Sequence, residues 1–480
     1  MPKIPFLSTL RIRALAAALL AGASLASLGA AGAAPALASH GQFTFFEAPR
    51  QLENPALRAK TFKQLQLLGV DALRVELHWN EAAPSSNSAH RPHFNATSPA
   101  SYKWANNPAI LAEAQRLKWP VLLTVTGFTP KWATATHRDL VTRPDPKFFE
   151  EFMTAVGREF GSQVTYWALW NEPNIAGWLS PQFNSNGTPA SPRIYRALFQ
   201  AGYKGLQAAG LSAPKVFLGE TAPFGVDSIR RGESVNEEMS PLTFMREALC
   251  LNSSYRKASS CSSLPVYGYA MHPYTYPALE GTNYRPANPD QVTIGTLSRL
   301  SNAIDRAAAV HAIPRRVPIF LTEFGVESKP NPRGVSLTEQ VEYDAVSEKI
   351  AYENPGVASF SQYLLEDEPP HGREKGYRTG LETSNGARKP LYYAFPLPLV
   401  VTRTGSGYSL WGHVRPATGV TKLKVYVQGP FGGSFRTLAV VTTNSSGYWT
   451  LHSSSAGSHW RVSWRSPAGV AYNGPSVGSL

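Results

Sequence analysis

Eight short apolar runs alternate with segments of helical spacing between residues 41 and 395, and this alternation limits the possible folds more than any other feature. The strand-like runs are 43–46, 72–77, 121–126, 165–170, 216–219, 267–271, 318–322 and 358–364. Helix-like segments fall between them at 55–68, 108–117, 146–160, 193–209, 241–249, 293–310 and 338–352. This order predicts an α/β chain closed into a (β/α)8 TIM barrel over 39–395. The rival is an open doubly wound sheet, which needs a Gly-rich phosphate loop after an early strand. None is present.

Helical periodicity stops after Phe395. Short alternating runs take over, punctuated by Gly429-Pro430-Phe431-Gly432-Gly433 and Asn444-Ser445-Ser446-Gly447. They predict a small all-β sandwich of immunoglobulin-like type over 399–480. A sandwich alone implies no ligand, so spacer, stabilising and sugar-binding roles stay open. Few features near 396–403 suggest a rigid shared core, so a truncation near Pro398 is expected to leave the barrel active.

Two glutamates at the ends of strand-like runs stand beside distinctive neighbours. Trp170-Asn171-Glu172-Pro173-Asn174 follows one such run, and Leu321-Thr322-Glu323-Phe324-Gly325 closes another. A lone Glu172 reads equally well as part of a helix start supplied by Asn171 and Pro173. A second carboxylate at another strand end is not explained that way, since burying it costs free energy unless it is paired or used. Two carboxylates on one barrel rim suit glycosidic bond cleavage, which needs an acid/base and a nucleophile. Trp79, Trp170 and Trp178 either line such a cleft or pack beneath its rim.

The first 38 residues read as a signal peptide. Lys3, Arg11 and Arg13 precede an Ala- and Leu-rich run, and Ala36-Leu37-Ala38 fits a small-x-small cleavage site. A membrane anchor is the competing reading, but the expectation is a secreted, extracellular protein with no stable membrane insertion. Removing the leader lowers the formal charge from +13 to +10. The basic residues are scattered with no arginine-rich arm, so nucleic acid is not the expected partner. Association with anionic cell-wall polymers fits an exported chain better. Cys250 and Cys261, the only two cysteines, are expected to close a disulfide in that compartment. Two cysteines and no His-Glu-x-x-His helix point to no metal and no cofactor.

Asn171-Glu172-Pro173 after the fourth strand and Thr322-Glu323-Phe324-Gly325 after the seventh resemble the catalytic strand ends of glycoside hydrolase clan A. Families 5 and 39 are the most similar, over residues 41–395. Arg74 in Leu73-Arg74-Val75-Glu76-Leu77 resembles the arginine that holds the nucleophile there. His272-Pro273-Tyr274 resembles the element whose tyrosine bonds the nucleophile, and Thr129-Pro130-Lys131-Trp132 a common rim segment. The resemblance implies Glu172 as acid/base and Glu323 as nucleophile. Asn171, Arg74, His272, Tyr274, Trp79 and Trp178 would contact substrate or orient the pair. It also implies a retaining mechanism with carboxyls about 5–5.5 Å apart, with Arg74 and Tyr274 keeping Glu323 ionised. The eighth strand departs from family 5: Phe360-Ser361-Gln362-Tyr363-Leu364 has no tryptophan, although Tyr363 offers a ring. The acidic Glu366-Asp367-Glu368 beyond it reads as a solvated loop rather than a substrate contact.

The expected activity is therefore hydrolysis of O-glycosidic bonds in a polysaccharide or oligosaccharide. A transglycosylase would use the same residues. A non-catalytic carbohydrate-binding barrel is disfavoured by the presence of both glutamates, and a serine hydrolase by the lack of a Gly-x-Ser-x-Gly elbow between any strand and helix of the barrel.

Overall fold

The structure is a computed structural model that describes residues 41–258, 261–276, 281–370 and 376–480. The expected signal peptide lies outside the described residues. Strands β1 Phe43–Glu47, β2 Ala72–His78, β3 Val121–Thr126, β4 Tyr166–Leu169, β5 Val216–Thr221, β6 Gly268–Met271, β7 Ile319–Leu321 and β8 Val357–Tyr363 form a closed parallel barrel in sequence order. β1 closes it against β8, with Phe43 opposite Ser359 and Glu47 opposite Tyr363. Each strand lies within about three residues of its sequence expectation.

Local chemistry explains the intervening helices. Asn54 caps Pro55–Leu68 by accepting from Ala56 N, with Pro55 at the first helical position. Asp145 caps Pro146–Phe160 in the same way, and Ser336 with Glu339 forms a capping box for Leu337–Glu353. Among the described residues, no helix is long and apolar enough to cross a membrane.

Inside the barrel the two-residue period of the strands sorts side chains into layers. Near the strand starts the interior is apolar: Phe45, Leu122, Ala168, Phe217, Ala270 and Phe320 form one cluster. The Phe217 and Phe320 rings stack at 4.1 Å. Burying each such ring contributes roughly 1.5–3 kcal/mol. Toward the strand ends the same inward positions become charged, so the packed foot of the barrel supports a polar mouth.

At the foot sits a second body of two antiparallel sheets. β9 Leu399–Thr404, β10 Gly407–His413 and β13 Tyr448–Ser453 form one; β11 Lys422–Gly429, β12 Gly432–Thr442, β14 His459–Arg465 and β15 Ala471–Asn473 form the other. Leu399, Leu410 and Trp449 from the first meet Val425, Trp460 and Val462 from the second in a single core.

The two bodies share contacts that run against the expectation of an independent module. Val400, Trp411 and Tyr448 pack with Ala345, Val346 and Tyr352 of the Leu337–Glu353 helix. Glu348 of that helix, fully buried, accepts from Arg415 at 2.7 Å and lies 3.0 Å from His413 Nδ1. Arg415 also bonds Thr44 Oγ1 at the start of β1 and Phe395 O. Gly69, the left-handed cap of Pro55–Leu68 at φ 79°, faces the Pro416 backbone so closely that a Cβ would fall 2.5 Å from its nitrogen. The boundary looked featureless because the shared core is built from residues distant from it in sequence.

Candidate active site

β2 alone delivers three polar side chains to the mouth, because Arg74, Glu76 and His78 lie two residues apart and share its inward face. Arg74 is fully buried and reaches four carboxylates. Its guanidinium lies 2.8 Å from Glu220 Oε1, 2.9 Å from Glu47 Oε2, 3.1 Å from Glu76 Oε1 and 3.3 Å from Glu323 Oε2. Nη2 also donates to Asn171 Oδ1 at 2.7 Å.

The turn after β4 is held in an unusual conformation. Trp170 and Glu172 have φ of 97° and 36°, in the region that non-glycine residues avoid. Surrounding bonds fix it: Trp170 N donates to Val125 O, Asn171 N to Thr126 Oγ1 and Glu172 N to Glu220 O, each at 2.9 Å. Asn174 is a clamp, with its amide bonded to Ala222 O, Met239 O and Ala222 N.

His272 ties the two expected catalytic groups together. Its Nδ1 lies 3.0 Å from Glu172 Oε1 and 3.6 Å from Glu323 Oε2. Those oxygens are thus separated by no more than the sum of the two distances. Tyr274 donates its hydroxyl to Glu323 Oε1 at 2.7 Å. Six sequence-derived residues, Glu172, Glu323, Asn171, Arg74, His272 and Tyr274, therefore meet in one cluster.

Electrostatics in the cluster follow from burial against pairing. Burial alone would raise Glu220, but Arg74 and His272 outweigh it and bring its pKa to about 2. Burial alone would lower His272, but Glu323, Glu172 and Glu220 raise it to about 10, so the ring is an imidazolium at neutral pH. The same contest takes His78 up to about 9 through Glu76. Glu76 is lowered, because Arg74 and His78 overcome its desolvation. Glu47 goes the other way: burial carries it well above the usual range despite Arg74. Burial and the Glu323 charge push Tyr274 well above an ordinary phenol, so it stays a donor.

Glu323 departs from expectation. Its pKa is raised, since burial, followed by the charges of Glu172 and Glu76, prevails over His272 and Arg74. The contacts that favour its ionised form are present; the cost of withdrawing it from water is larger.

Of the tryptophans, Trp178 is at the rim. It is half-buried and stacked between the exposed Phe128, at 5.6 Å, and His78, at 6.2 Å. Trp79 is not a rim residue: its ring is 0% exposed and stacks on Phe152 at 5.5 Å with Phe149 and Trp132 around it. It opens the short helix Trp79–Ala82, which turns the ring away from the mouth into the layer between strands and helices. Trp170 is likewise fully buried, with its indole N–H on Trp178 O. Trp132 is in the same layer, 2% exposed.

The loop after β8 is not simply solvated. Asp367 is buried on Lys389 at 2.6 Å, Glu366 pairs with Arg50, and Glu368 accepts from Tyr363 Oη at 3.3 Å.

Sequence reasoning missed Glu47, Glu76, Glu220 and His78. Glu47 and Glu220 both carry the signal that singled out Glu172 and Glu323, a glutamate at the end of an apolar run. Glu220 points inward because the β5–β6 register shifts between Gly219 and Thr221, with Glu220 at φ 55°. Away from the mouth, Cys250 and Cys261 form a disulfide with Cα atoms 6.2 Å apart.

No family model and no curated protein sequence matches the chain. Solved structures do. A family 39 glycoside hydrolase from the gut symbiont Bacteroides cellulosilyticus WH2 superposes with a TM-score of 0.52 at 14% identity, over 87% of this chain and 80% of that one. A glucosidase from Croceicoccus marinus gives 0.51 at 11% identity, over 92% and 96%. At these identities the likeness is one of fold, and this chain shares the barrel architecture of both proteins.

Proposed function

We propose that this chain is a secreted retaining glycoside hydrolase in which Glu323 is the nucleophile and Glu172 the acid/base. The observation that carries the reading is the bridge made by His272 Nδ1, 3.0 Å from one carboxylate and 3.6 Å from the other. Holding one oxygen of each carboxylate within the sum of those distances is compatible with the retaining spacing of about 5–5.5 Å. In the first step Glu323 attacks the anomeric carbon while Glu172 gives its proton to the leaving oxygen. The glycosidic C–O bond breaks and a glycosyl ester forms on Glu323. Glu172 then takes a proton from water, whose oxygen displaces the ester and restores both carboxyl groups. Tyr274 and Arg74 hold opposite oxygens of Glu323, which fixes the direction of attack. The family 39 hydrolase and the glucosidase that share the fold are consistent with this chemistry. Secretion rests on the leader sequence alone.

The test is a panel of nitrophenyl glycosides with the wild type, Glu172→Ala and Glu323→Ala. A 2-deoxy-2-fluoro glycoside of whichever sugar is cleaved should leave one covalent sugar on the peptide containing Glu323. Azide should restore turnover to Glu172→Ala and yield a glycosyl azide of retained configuration. A label on another residue, or an azide product of inverted configuration, would sink the assignment.

A further inference from the structure

The charge of this chain is unevenly distributed. All 33 Asp and Glu residues precede residue 399, whereas residues 399–480 contain seven Lys or Arg and no acidic residue. One of the seven, Arg415, is consumed by Glu348. Four others stand on one surface, the outward face of the β12-β11-β14-β15 sheet.

Strand alternation places them there. In β11, Leu423, Val425 and Val427 enter the core, which turns Lys422, Lys424 and Tyr426 outward. In β14, Trp460, Val462 and Trp464 enter it, which turns Arg461, Ser463 and Arg465 outward. The register sets Tyr426 opposite Arg461 and Lys424 opposite Ser463. A trough of about 390 Å³ runs over this face, lined by Lys422, Lys424, Tyr426, Ser463, Arg465 and Asn473.

Two further observations bear on what fills it. Among the described residues, none of the four cations is in an ion pair. The arginines are also held in place. Arg461 lies over the rings of Phe435 at 4.5 Å and Tyr426 at 5.3 Å, and Arg465 donates to Gly469 O at 2.8 Å. Like charges gathered without counter-charges repel one another, and an anionic ligand relieves that repulsion. Fixing the guanidinium groups beforehand lowers the entropy lost when a ligand binds.

We propose that this sheet face is a docking site for an anionic polysaccharide, a chain carrying carboxylates at regular intervals. The cations fix the sign of the ligand, while Tyr426, Ser463 and Asn473 offer neutral partners for its hydroxyl groups. The choice of a sugar polymer over a nucleic acid rests on the glycosidase reading; the electrostatics do not.

The probe is polygalacturonate, measured against full-length protein by affinity electrophoresis. Fully methyl-esterified polygalacturonate supplies the same backbone without charge, and duplex DNA a different polyanion. The wild type should be retarded by polygalacturonate and not by the ester, with affinity falling about tenfold between 50 and 200 mM NaCl. The triple variant Lys424→Gln, Arg461→Gln and Arg465→Gln should lose at least about tenfold in affinity. Its Tm and its hydrolysis of a soluble nitrophenyl glycoside should stay unchanged. Equal retardation of the variant, or of the wild type by the ester, overturns the site. Tighter binding of DNA than of polygalacturonate at equal salt overturns the ligand. A wild type that binds polygalacturonate yet hydrolyses no glycoside leaves the docking face standing and refutes the catalytic reading instead.

Discussion

The hydroxyl of Tyr274 donates a 2.7 Å hydrogen bond to Oε1 of Glu323, the oxygen opposite the one that faces Arg74. A hydrogen bond to a charged group is worth about 1.5–3 kcal/mol. Tyr274→Phe should therefore lower kcat roughly 10- to 100-fold with the fold intact, measured on a nitrophenyl glycoside beside a circular dichroism spectrum. Unchanged kcat would remove Tyr274 from the mechanism.

Burial raises the pKa of Glu323, and a carboxylate in the nucleophile's role proposed for it works only when ionised. The acid limb of kcat/KM against pH should accordingly lie above the ordinary glutamate value of about 4.3. An acid limb at or below that value would show that the carboxylate is better solvated than its position implies.

Stability should also depend on pH, with a definite sign. The raised pKa of His272, about 10, gives a contribution fully present below about 6.5 and lost as pH rises through 10. The depressed pKa of Glu220, about 2, gives one present above about 4.3 and lost as pH falls toward 2. Glu47 and Glu323, both raised, act in the same sense as His272. Tm should peak between about pH 4.5 and 6.5 and fall on both sides. A maximum above pH 8 by differential scanning fluorimetry would contradict the site's charge balance.

Truncation at Pro398 should yield insoluble or unfolded protein rather than an active barrel. It uncovers Ala345, Val346 and Tyr352 and strands Glu348 without Arg415. The milder Arg415→Ala should destabilise the full chain by about 3–5 kcal/mol, the usual cost of unpairing a buried charge, read by urea unfolding. A soluble, active truncation would restore the independent module.

Replacing Cys250 and Cys261 together by serine should cost about 2–3 kcal/mol in the chain-entropy model without changing KM. The bridge at Cys250–Cys261 lies away from the mouth, so an altered KM would point to an unforeseen link between that loop and the cleft.

How much of this was legible beforehand differs by level. The barrel was readable because each strand is a contiguous apolar run, and period-two alternation needs only local sequence. The Glu172–Glu323 pair was readable because each sits beside a distinctive neighbour, Asn171-Pro173 or Phe324-Gly325. Glu47 and Glu220 lack such neighbours, and Glu220 faces inward only through a register shift that no pattern announces. Trp79 went wrong for a related reason: an aromatic just past a strand end can enter the cleft or the layer behind it, and helix geometry decides. The Glu348–Arg415 contact joins residues 67 positions apart, and nothing local to either one names the other.

That contact has a consequence for how the two bodies work together. A binding module on a flexible tether raises the substrate concentration within the tether's reach. Here the chain passes from the helix Pro390–Ala394 into β9 at Leu399 with almost no spacer, and a buried ion pair fixes the joint. On the two proposals made above, whatever the outer sheet grips is held by the body at the foot of the barrel, while bonds are cut at the mouth. Anchoring and cleavage must then fall on different stretches of polymer, and an anchored molecule clears the material around its foothold rather than travelling along the chain that holds it.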